Sequence, residues 1–333
     1  MNDKLNVSAE ECKQLFANVH DFEIPFGEDY QNREPAYFAV RDAKDESSPV
    51  PDEHRLYRSA LLLGDKEGVA TGLTASIMLA AKASGIRTYA VDVSLSQNLA
   101  KLKQKCFPND GSITVGTGNE YADMLSKIYQ IYMDRVEERN ANPSKKFAPI
   151  AFIVNGAHNV VAYKTDKIIE FSENQTAEKT APSDDWKQQD LSNVSFESIF
   201  GGASTPASTP APTPAPNNAR VQKIRGRAAL IELIANGSGV GICVFLWVDK
   251  NDNSMERKEI RDGTGMKILF RAVKSYADSY MDSTFKEKML DKVNHNMALV
   301  QYPDEGSLIS FRRIRVNQYD LNDAELLSVI KSL

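Results

Sequence analysis

The chain has 333 residues, of which 42% are hydrophobic and 26% charged, a composition that excludes wholesale disorder and allows one large domain or two smaller ones. Its formal net charge of -5 excludes a general electrostatic attraction to nucleic acid or to an anionic membrane. Local basic clusters occur, and we interpret them as solvated faces, although a DNA-handling protein could use them. These clusters are Lys101, Lys103 and Lys105, and Arg312, Arg313 and Arg315.

The cysteines and the hydropathy pattern bear on the cellular compartment. Cys12, Cys106 and Cys243 lie far apart without a CxxC pair, which argues against a zinc site or a disulfide framework and favours a reducing cytoplasm. No apolar run approaches the roughly 20 residues that span a bilayer. We therefore expect a cytoplasmic chain, which could still be the soluble end of a longer, membrane-anchored protein.

Short apolar runs alternate with amphipathic segments from about Ala36 onward, a pattern typical of β-α units around a largely parallel sheet. We predict an N-terminal leading segment over residues 1–35 and a single α/β domain over 36–333. Solid apolar runs predict buried strands at 60–63, 150–154 and 242–247. A further strand at 87–92 follows Gly85, which suits a helix C-cap.

Helices are predicted between these strands, at 70–83, 119–139 and 221–235. The tyrosines in the second of them are interpreted as core packing, and the third carries an apolar stripe of Ile224, Ala228, Ile231 and Ile234. The tail is predicted to form strands at 267–273, 297–302 and 309–316. A closing helix at 322–333 follows, capped by Asp320 or Asn322.

One segment departs from this pattern. Residues 201–218 read GGASTPASTPAPTPAPNN, which predicts a mobile, partly polyproline-like insertion within the domain. An interdomain linker is the alternative.

The chemistry-bearing candidate is a strand–turn–helix at residues 61–72, where a phosphate-binding loop of pattern GxxxxGK[ST] would lie. If Gly64 is the first glycine, Val69 stands at the second glycine, Ala70 at the lysine and Thr71 at the magnesium-binding hydroxyl. The loop therefore lacks its cation at position 70, while Asp65 and Glu67 add negative charge that would repel a triphosphate.

The strand at 150–154 occupies the place where such enzymes present a metal-binding aspartate followed by a catalytic carboxylate. Here those positions are Asn155 and Gly156, and the nearby His158 is interpreted as surface polar. We predict a remnant nucleotide site that comprises Gly64, Gly68, Thr71 and Asn155, without catalytic residues or a metal site. No cofactor is expected, and ATP with magnesium would bind weakly at most.

Several segments, in order, resemble the FtsK/SpoIIIE-type ATPase domains of type VII secretion motors, the EssC/EccC family. Residues 20–29 (HDFEIPFGED) are similar to the family's IPIGLD segment, and residues 34–38 (EPAYF) to EPVYLDL. Residues 271–279 (RAVKSYADS) are similar to RVSSxxDSRTIL but lack the arginine after the Asp-Ser pair. The C-terminal residues 297–300, 312–316 and 320–325 resemble the family's GDMLF…IRVQGAFVSDEE ending. Trp247 and Val248 stand where the family often has a polar sensor.

The resemblance implies an α/β fold of the P-loop NTPase (RecA/FtsK) type, with a mostly parallel sheet flanked by helices and a degenerate nucleotide site. It implies a non-hydrolysing module of a type VII secretion motor, acting in substrate recognition or in regulation of export. Partners would be small helical WXG-type secreted proteins, bound as an amphipathic helix in a groove, and other motor domains, without nucleic acid. The alternatives are an active ATP-dependent DNA translocase that uses Lys66 as its phosphate cation, and a free-standing α/β interaction protein.

Overall fold

The computed structural model describes residues 5–17, 19, 22–40, 58–64, 67–157, 166–173, 220–249, 257–270, 279–280, 297–302 and 310–333. The Pro-rich segment 201–218, Asp65, Lys66, His158 and most of the 271–279 motif lie outside these residues. The chain divides into two compact units, residues 1–171 with 223–333, and residues 172–222. In the second unit, the described residues are only the ends of two strands at 172–173 and 220–222.

The strands are β1 (Leu5–Asn6), β2 (Glu23–Asp29), β3 (Pro35–Ala39), β4 (Ala60–Leu63), β5 (Arg87–Asp92), β6 (Ile113–Gly116), β7 (Ile150–Asn155), β8 (Ile168–Glu173), β9 (Arg220–Arg225), β10 (Ile242–Val248), β11 (Met266–Phe270), β12 (Met297–Tyr302) and β13 (Ser310–Gln318). The helices are α1 (Ala9–Ala17), α2 (Glu67–Ala83), α3 (Asn98–Cys106), α4 (Tyr121–Ala141), α5 (Gly226–Asn236), α6 (Arg257–Asp262) and α7 (Ala324–Lys331).

The main sheet has the order β3-β2-β13-β12-β11-β4-β10-β7-β5-β6, and β1 pairs in parallel with the end of β13. From β11 to β6 all neighbouring strands are parallel, whereas β12, β13, β2 and β3 continue the sheet with antiparallel pairs. The predicted α/β fold with a mostly parallel central sheet is confirmed. Strands β8 and β9 form a separate two-stranded sheet.

Helices cover both faces of the parallel strands, which is why these strands are apolar throughout. In β4, Leu62 packs into the core on the side of α2, while Leu61 and Leu63 pack into the opposite core with α4 and α5. The tyrosines of α4, including Tyr121, Tyr129 and Tyr132, are buried in this second core, so the packing interpretation is confirmed. Gly85 has φ +66°, in agreement with the predicted C-cap that ends α2.

Several predicted boundaries are wrong. The helix predicted at 221–235 begins only at Gly226, because residues 220–225 form β9. Its buried stripe is Ala229, Leu230, Leu233 and Ile234, so Ala228 faces outward and Ile224 belongs to the strand. The helix predicted at 119–139 is α4, which starts at Tyr121 after one 3-10 turn, Gly118–Glu120.

The two ends of the chain also differ from the prediction. The strand predicted at 309–316 runs as Ser310–Gln318, and the closing helix spans Ala324–Lys331. Its N-cap is Asp323, whose carboxylate accepts hydrogen bonds from the backbone N–H groups of Glu325 and Leu326, rather than Asp320 or Asn322. Regular structure begins well before Ala36, because β1, α1 and β2 precede it and β2 joins the main sheet beside β13.

Candidate functional site: the carboxyl edge of the parallel strands

The predicted site residues lie at the carboxyl edge of the parallel strands, the edge at which open α/β sheets bind ligands. Strand β4 ends at Leu63 and leads through Gly64 toward α2, while β7 ends at Asn155 and β5 at Asp92. Strand β10 lies between β4 and β7, and its Trp247 is in register with Asn155. The sheet order therefore brings the loop after β4 close to the ends of β10, β7 and β5.

Gly64 is fixed by its neighbours on two strands. Its φ of +149° and the carbonyl oxygen of Phe270, which an added Cβ would approach to 2.1 Å, require glycine at this position. Its N–H donates to the Val248 carbonyl at 3.3 Å, and its own carbonyl accepts a hydrogen bond from Trp247 Nε1 at 2.8 Å. Both the N–H and the carbonyl group of Gly64, the first residue of the loop, are thus hydrogen-bonded to β10.

Gly68 and Thr71 lie in the first turns of α2, which begins at Glu67 rather than at the predicted residue 70. The Thr71 hydroxyl, the counterpart of a magnesium ligand, donates to the Gly68 carbonyl at 3.1 Å. A Cβ at Gly68 would meet no atom within 4 Å, so no close contact requires glycine there. The two residues hydrogen-bond to each other within the helix.

The positions that would carry the loop glycine and the lysine are part of the core. Val69 and Ala70 are 1% and 0% exposed, and α2 is buried on all sides from Val69 to Ala81. Position 70 therefore carries no cation, and its methyl group packs among apolar side chains.

Asn155, at the metal-binding aspartate position, is fully buried and bonded to other side chains. Its Nδ2 donates to Asp92 Oδ1 at 2.9 Å, and its Oδ1 lies 3.5 Å from the Thr74 hydroxyl of α2. An amide at this position has no negative charge to attract a cation. Together with Ala70, it gives a set of side chains that does not match a magnesium–triphosphate complex.

Asp92 is the centre of this network, and the sequence prediction did not include it in the site. Its Oδ1 also accepts the Ser94 hydroxyl at 2.6 Å, while its Oδ2 accepts the backbone N–H groups of Leu99 at 2.9 Å and Ala100 at 3.2 Å. It therefore caps the N-terminus of α3. The available signal was an aspartate at the end of the apolar strand β5, close to a serine.

A further bond joins the start of α2 to the loop between β5 and α3. Glu67 Oε1 accepts the backbone N–H of Ser96 at 2.5 Å. The carboxylate of Glu67, which was predicted to repel a phosphate, therefore accepts a hydrogen bond from the neighbouring loop.

The basic clusters noted in the sequence also make internal contacts. Lys103 Nζ donates to the carbonyls of Phe107 and Asp110, and Lys105 Nζ to the carbonyl of Leu321 at 2.6 Å. Arg315 pairs with Glu28 at 2.6 Å. Within the described ranges, no helix is both long and apolar enough to cross a bilayer.

No protein-family model matches the sequence, and no curated protein does. Solved structures do match. The pCW3 conjugation coupling protein TcpA, in its monomer form with ATPγS, gives a TM-score of 0.57 at 12% identity, over 100% of this chain and 74% of that chain. EssC ATPases 2 and 3 from Geobacillus thermodenitrificans give 0.51 at 10% identity, over 100% and 50%. Thermomonospora curvata EccC ATPases 2 and 3, in complex with a signal sequence peptide, give 0.53 at 12% identity, over 93% and 45%.

The chain thus spans about half of these EssC and EccC structures and three quarters of the TcpA structure. At such identities the likeness concerns the fold. The resemblance predicted from the sequence motifs is confirmed at that level: the chain has the α/β, P-loop NTPase-like fold that the EssC/EccC cytoplasmic ATPase domains and the FtsK-like TcpA share.

Proposed function

We propose that the chain is a non-hydrolysing, ATPase-like module of a type VII protein secretion motor that acts in substrate recognition or in regulation of export. Support comes from the ordered sequence motifs and from the fold likeness to EssC and EccC. The EccC structure contains a signal sequence peptide. By analogy, the partners of this chain are small helical WXG-type secreted proteins and other motor domains. Its place is the cytoplasm, or the cytoplasmic face of the cell membrane if the chain is part of a longer anchored protein.

The observation that carries the absence of turnover is the Asn155–Asp92 hydrogen bond. It occupies the Asn155 amide in a fully buried position, where an active site would present a carboxylate to magnesium. The loop offers no lysine at position 70. These two features support the proposal, because a metal-binding carboxylate and a phosphate-binding cation are both replaced by uncharged side chains.

Isothermal titration calorimetry of the purified chain with ATP and magnesium, followed by a phosphate-release assay, tests this proposal. We expect no measurable heat of binding at millimolar ATP and no phosphate release above that of buffer. Hydrolysis that Thr71→Ala abolishes would contradict it.

Pull-down with small helical secreted proteins from the same genome tests the recognition role. Specific capture of at least one of them, without nucleotide, is the expected result. Capture that requires ATP would point instead to a nucleotide-driven motor.

An active ATP-dependent DNA translocase is the second candidate, favoured by the likeness to TcpA, a conjugation coupling protein whose structure contains ATPγS. This function would need a substitute for the missing lysine, for which Lys66 is the sequence candidate. It would also need a surface for the DNA backbone, whereas Lys103 and Lys105 donate to backbone carbonyls of the chain itself. Stimulation of hydrolysis by duplex DNA would establish it.

A further inference from the structure

Three arginines, Arg33, Arg313 and Arg315, meet at the turn between β2 and β3, and among the described residues Glu28 is the carboxylate that pairs with two of them. Arg33 and Arg315 both contact one oxygen, Oε1 of Glu28, at 3.2 Å and 2.6 Å. One carboxylate therefore neutralises only one of two guanidinium groups. Arg313, two residues before Arg315 on β13, adds a third positive charge.

The third guanidinium group stacks on an exposed aromatic ring. The guanidinium carbon of Arg313 lies 4.7 Å from the ring centroid of Tyr30, and that of Arg33 lies 5.4 Å from it. Within the described part of the chain, Arg313 has no carboxylate at ion-pair distance. Because stacking uses the face of a guanidinium group, its N–H edge stays available for a carboxylate. We call Tyr30, Arg33 and Arg313 the arginine–tyrosine cluster.

The turn that contains Tyr30 and Arg33 is stabilised by hydrogen bonds among its own polar groups. Asp29 Oδ1 accepts the Gln31 N–H at 2.8 Å, and Asn32 Oδ1 accepts the Glu34 N–H at 3.1 Å. The backbone N–H of Tyr30 donates to the Arg313 carbonyl at 2.9 Å, which ties the turn to β13. A side chain presented by such a fixed backbone loses less conformational entropy on binding than one in a flexible loop.

A cavity of about 430 Å³ opens beside the cluster, between α1 and strands β1, β2 and β3. Its apolar lining includes Leu5, Val7 and Leu15. Arg33, a member of the cluster, also lines the cavity and so connects the two. This volume falls in the range of sites that hold small ligands or a few peptide side chains. The lining also includes the carboxylates of Glu28, which pairs with Arg33 and Arg315, and of Glu11, whose negative charge would repel a continuous phosphate backbone.

We propose that the arginine–tyrosine cluster and this cavity form a docking site for a partner peptide that carries a carboxylate next to an apolar side chain. The carboxylate binds the N–H edges of Arg33 and Arg313, and the apolar side chain enters the cavity. The charge of the cluster selects the acid, and the carboxylate of Glu11 in the cavity selects against a polyanion. The proposal rests on the proposed function, in which the module binds protein partners without ATP turnover.

The test uses the full chain and two fluorescein-labelled peptides of twelve residues, built of leucine and alanine with either two glutamates or two glutamines. We expect fluorescence anisotropy to show roughly tenfold tighter binding of the glutamate peptide. The double variant R33A/R313A loses this preference. Arg87→Ala, which removes a guanidinium that lies over Tyr89 in the parallel half of the sheet, retains it.

Two further variants separate charge from shape. Arg313→Lys keeps the charge but loses the planar donor edge, so it lowers the preference only in part. Gln14→Trp places a larger side chain at an exposed position on the cavity wall, so it weakens the binding of both peptides equally. Thermal melting of each variant checks that the fold is intact.

Equal binding of the two peptides by the wild-type chain, or a preference that survives R33A/R313A, would overturn the proposal. So would tighter binding of a twelve-nucleotide single strand than of the glutamate peptide, competed by that peptide, since it would make the cluster a nucleic-acid site. The ATP titration is independent of both peptides, so its failure is distinguishable from theirs.

Discussion

The carboxyl edge of the parallel strands and the β2–β3 turn of the antiparallel strands use polar side chains in opposite ways. At the parallel edge, Asp92, Asn155 and Glu67 accept or donate hydrogen bonds within the protein, and the first two are almost fully buried. At the turn, Arg33 and Arg313 stack on an exposed ring, and among the described residues only Arg33 has a carboxylate, that of Glu28, at ion-pair distance. The side chains of Asp92, Asn155 and Glu67 are thus hydrogen-bonded within the protein, whereas the arginines of the turn have N–H groups left for a ligand.

This difference bears on which variants should affect stability and which should affect recognition. At the parallel edge, hydrogen bonds of Asp92, Asn155 and Thr74 join β5, β7 and α2, and the bond from Trp247 to Gly64 joins β10 to the loop before α2. Polar groups in such a network contribute to stability instead of to ligand binding. Variants that open the network should therefore cost stability first, and variants at the turn should mainly affect recognition.

Asp92→Ala should have the largest effect on stability. It leaves the buried Asn155 amide and two N–H groups of α3 without their acceptor, so the free energy of unfolding should fall by about 3–4 kcal/mol. Urea unfolding followed by circular dichroism measures this. Asp323→Ala, which removes the exposed N-cap of α7, is the matched control and should cost only about 1 kcal/mol. Equal losses for the two variants would show that the buried hydrogen bonds of Asp92 contribute no more to stability than an exposed helix cap does.

Asn155→Asp should come next, with a loss of about 2–3 kcal/mol at neutral pH. The new carboxylate would lie at hydrogen-bond distance from Asp92 Oδ1 in a buried position, so the two negative charges repel each other. The folded variant then holds a proton more tightly than its unfolded chain. Its stability relative to the wild type should therefore rise as the pH falls from 8 to about 5, as urea midpoints would show. A loss that is the same at both pH values would argue against a carboxylate pair.

The long buried strands were predictable because burial on both faces demands uninterrupted apolar residues, as in β4, β7 and β10. Helix α1 was missed because it has only nine residues, although Ala9, Cys12 and Phe16 do form a helical stripe. Strand β9 was taken for the start of the helix because Ile224 falls at helical spacing from Ala228, Ile231 and Ile234, a spacing that arises here by chance.

For the site, the sequence located Gly64 and Asn155 at the ends of their strands. It did not show what they contact. The bond from Trp247 to the Gly64 carbonyl joins residues distant in sequence, and it depends on β10 lying beside β4 in the sheet. The role of Asp92 likewise depends on the order of β5 and β7.

Trp247→Phe tests the hydrogen bond that joins the loop after β4 to β10. It keeps an aromatic ring in the core but removes the donor to the buried Gly64 carbonyl, which should cost about 1–2 kcal/mol. Hydrogen exchange followed by mass spectrometry should show faster exchange for residues 67–72, because the loop before α2 loses a support. Unchanged exchange in this segment would mean that the Gly64 N–H bond to Val248 is sufficient.

Ser8→Ala should have the smallest effect on stability and compares the two regions most directly. Ser8 and Glu11 form a capping box at the start of α1, where the backbone N–H and the hydroxyl of Ser8 lower the pKa of Glu11. Removing the hydroxyl should cost about 1 kcal/mol at pH 7. Because the pKa is lowered in the folded state, this contribution is present above the unfolded value and is lost as the pH falls through the folded value. The cost should thus shrink as the pH falls below the ordinary range of a glutamate pKa.

Thr117→Ala is the matched variant in the parallel half, since Thr117 and Glu120 form the same kind of capping box before α4. The two substitutions should cost similar stability in urea unfolding. Only Ser8→Ala should weaken the binding of the glutamate peptide, by about threefold in affinity, because a less stable α1 disturbs the wall of the cavity. Equal weakening by Thr117→Ala would show that peptide binding follows overall stability, and it would remove the functional distinction between the two halves of the sheet.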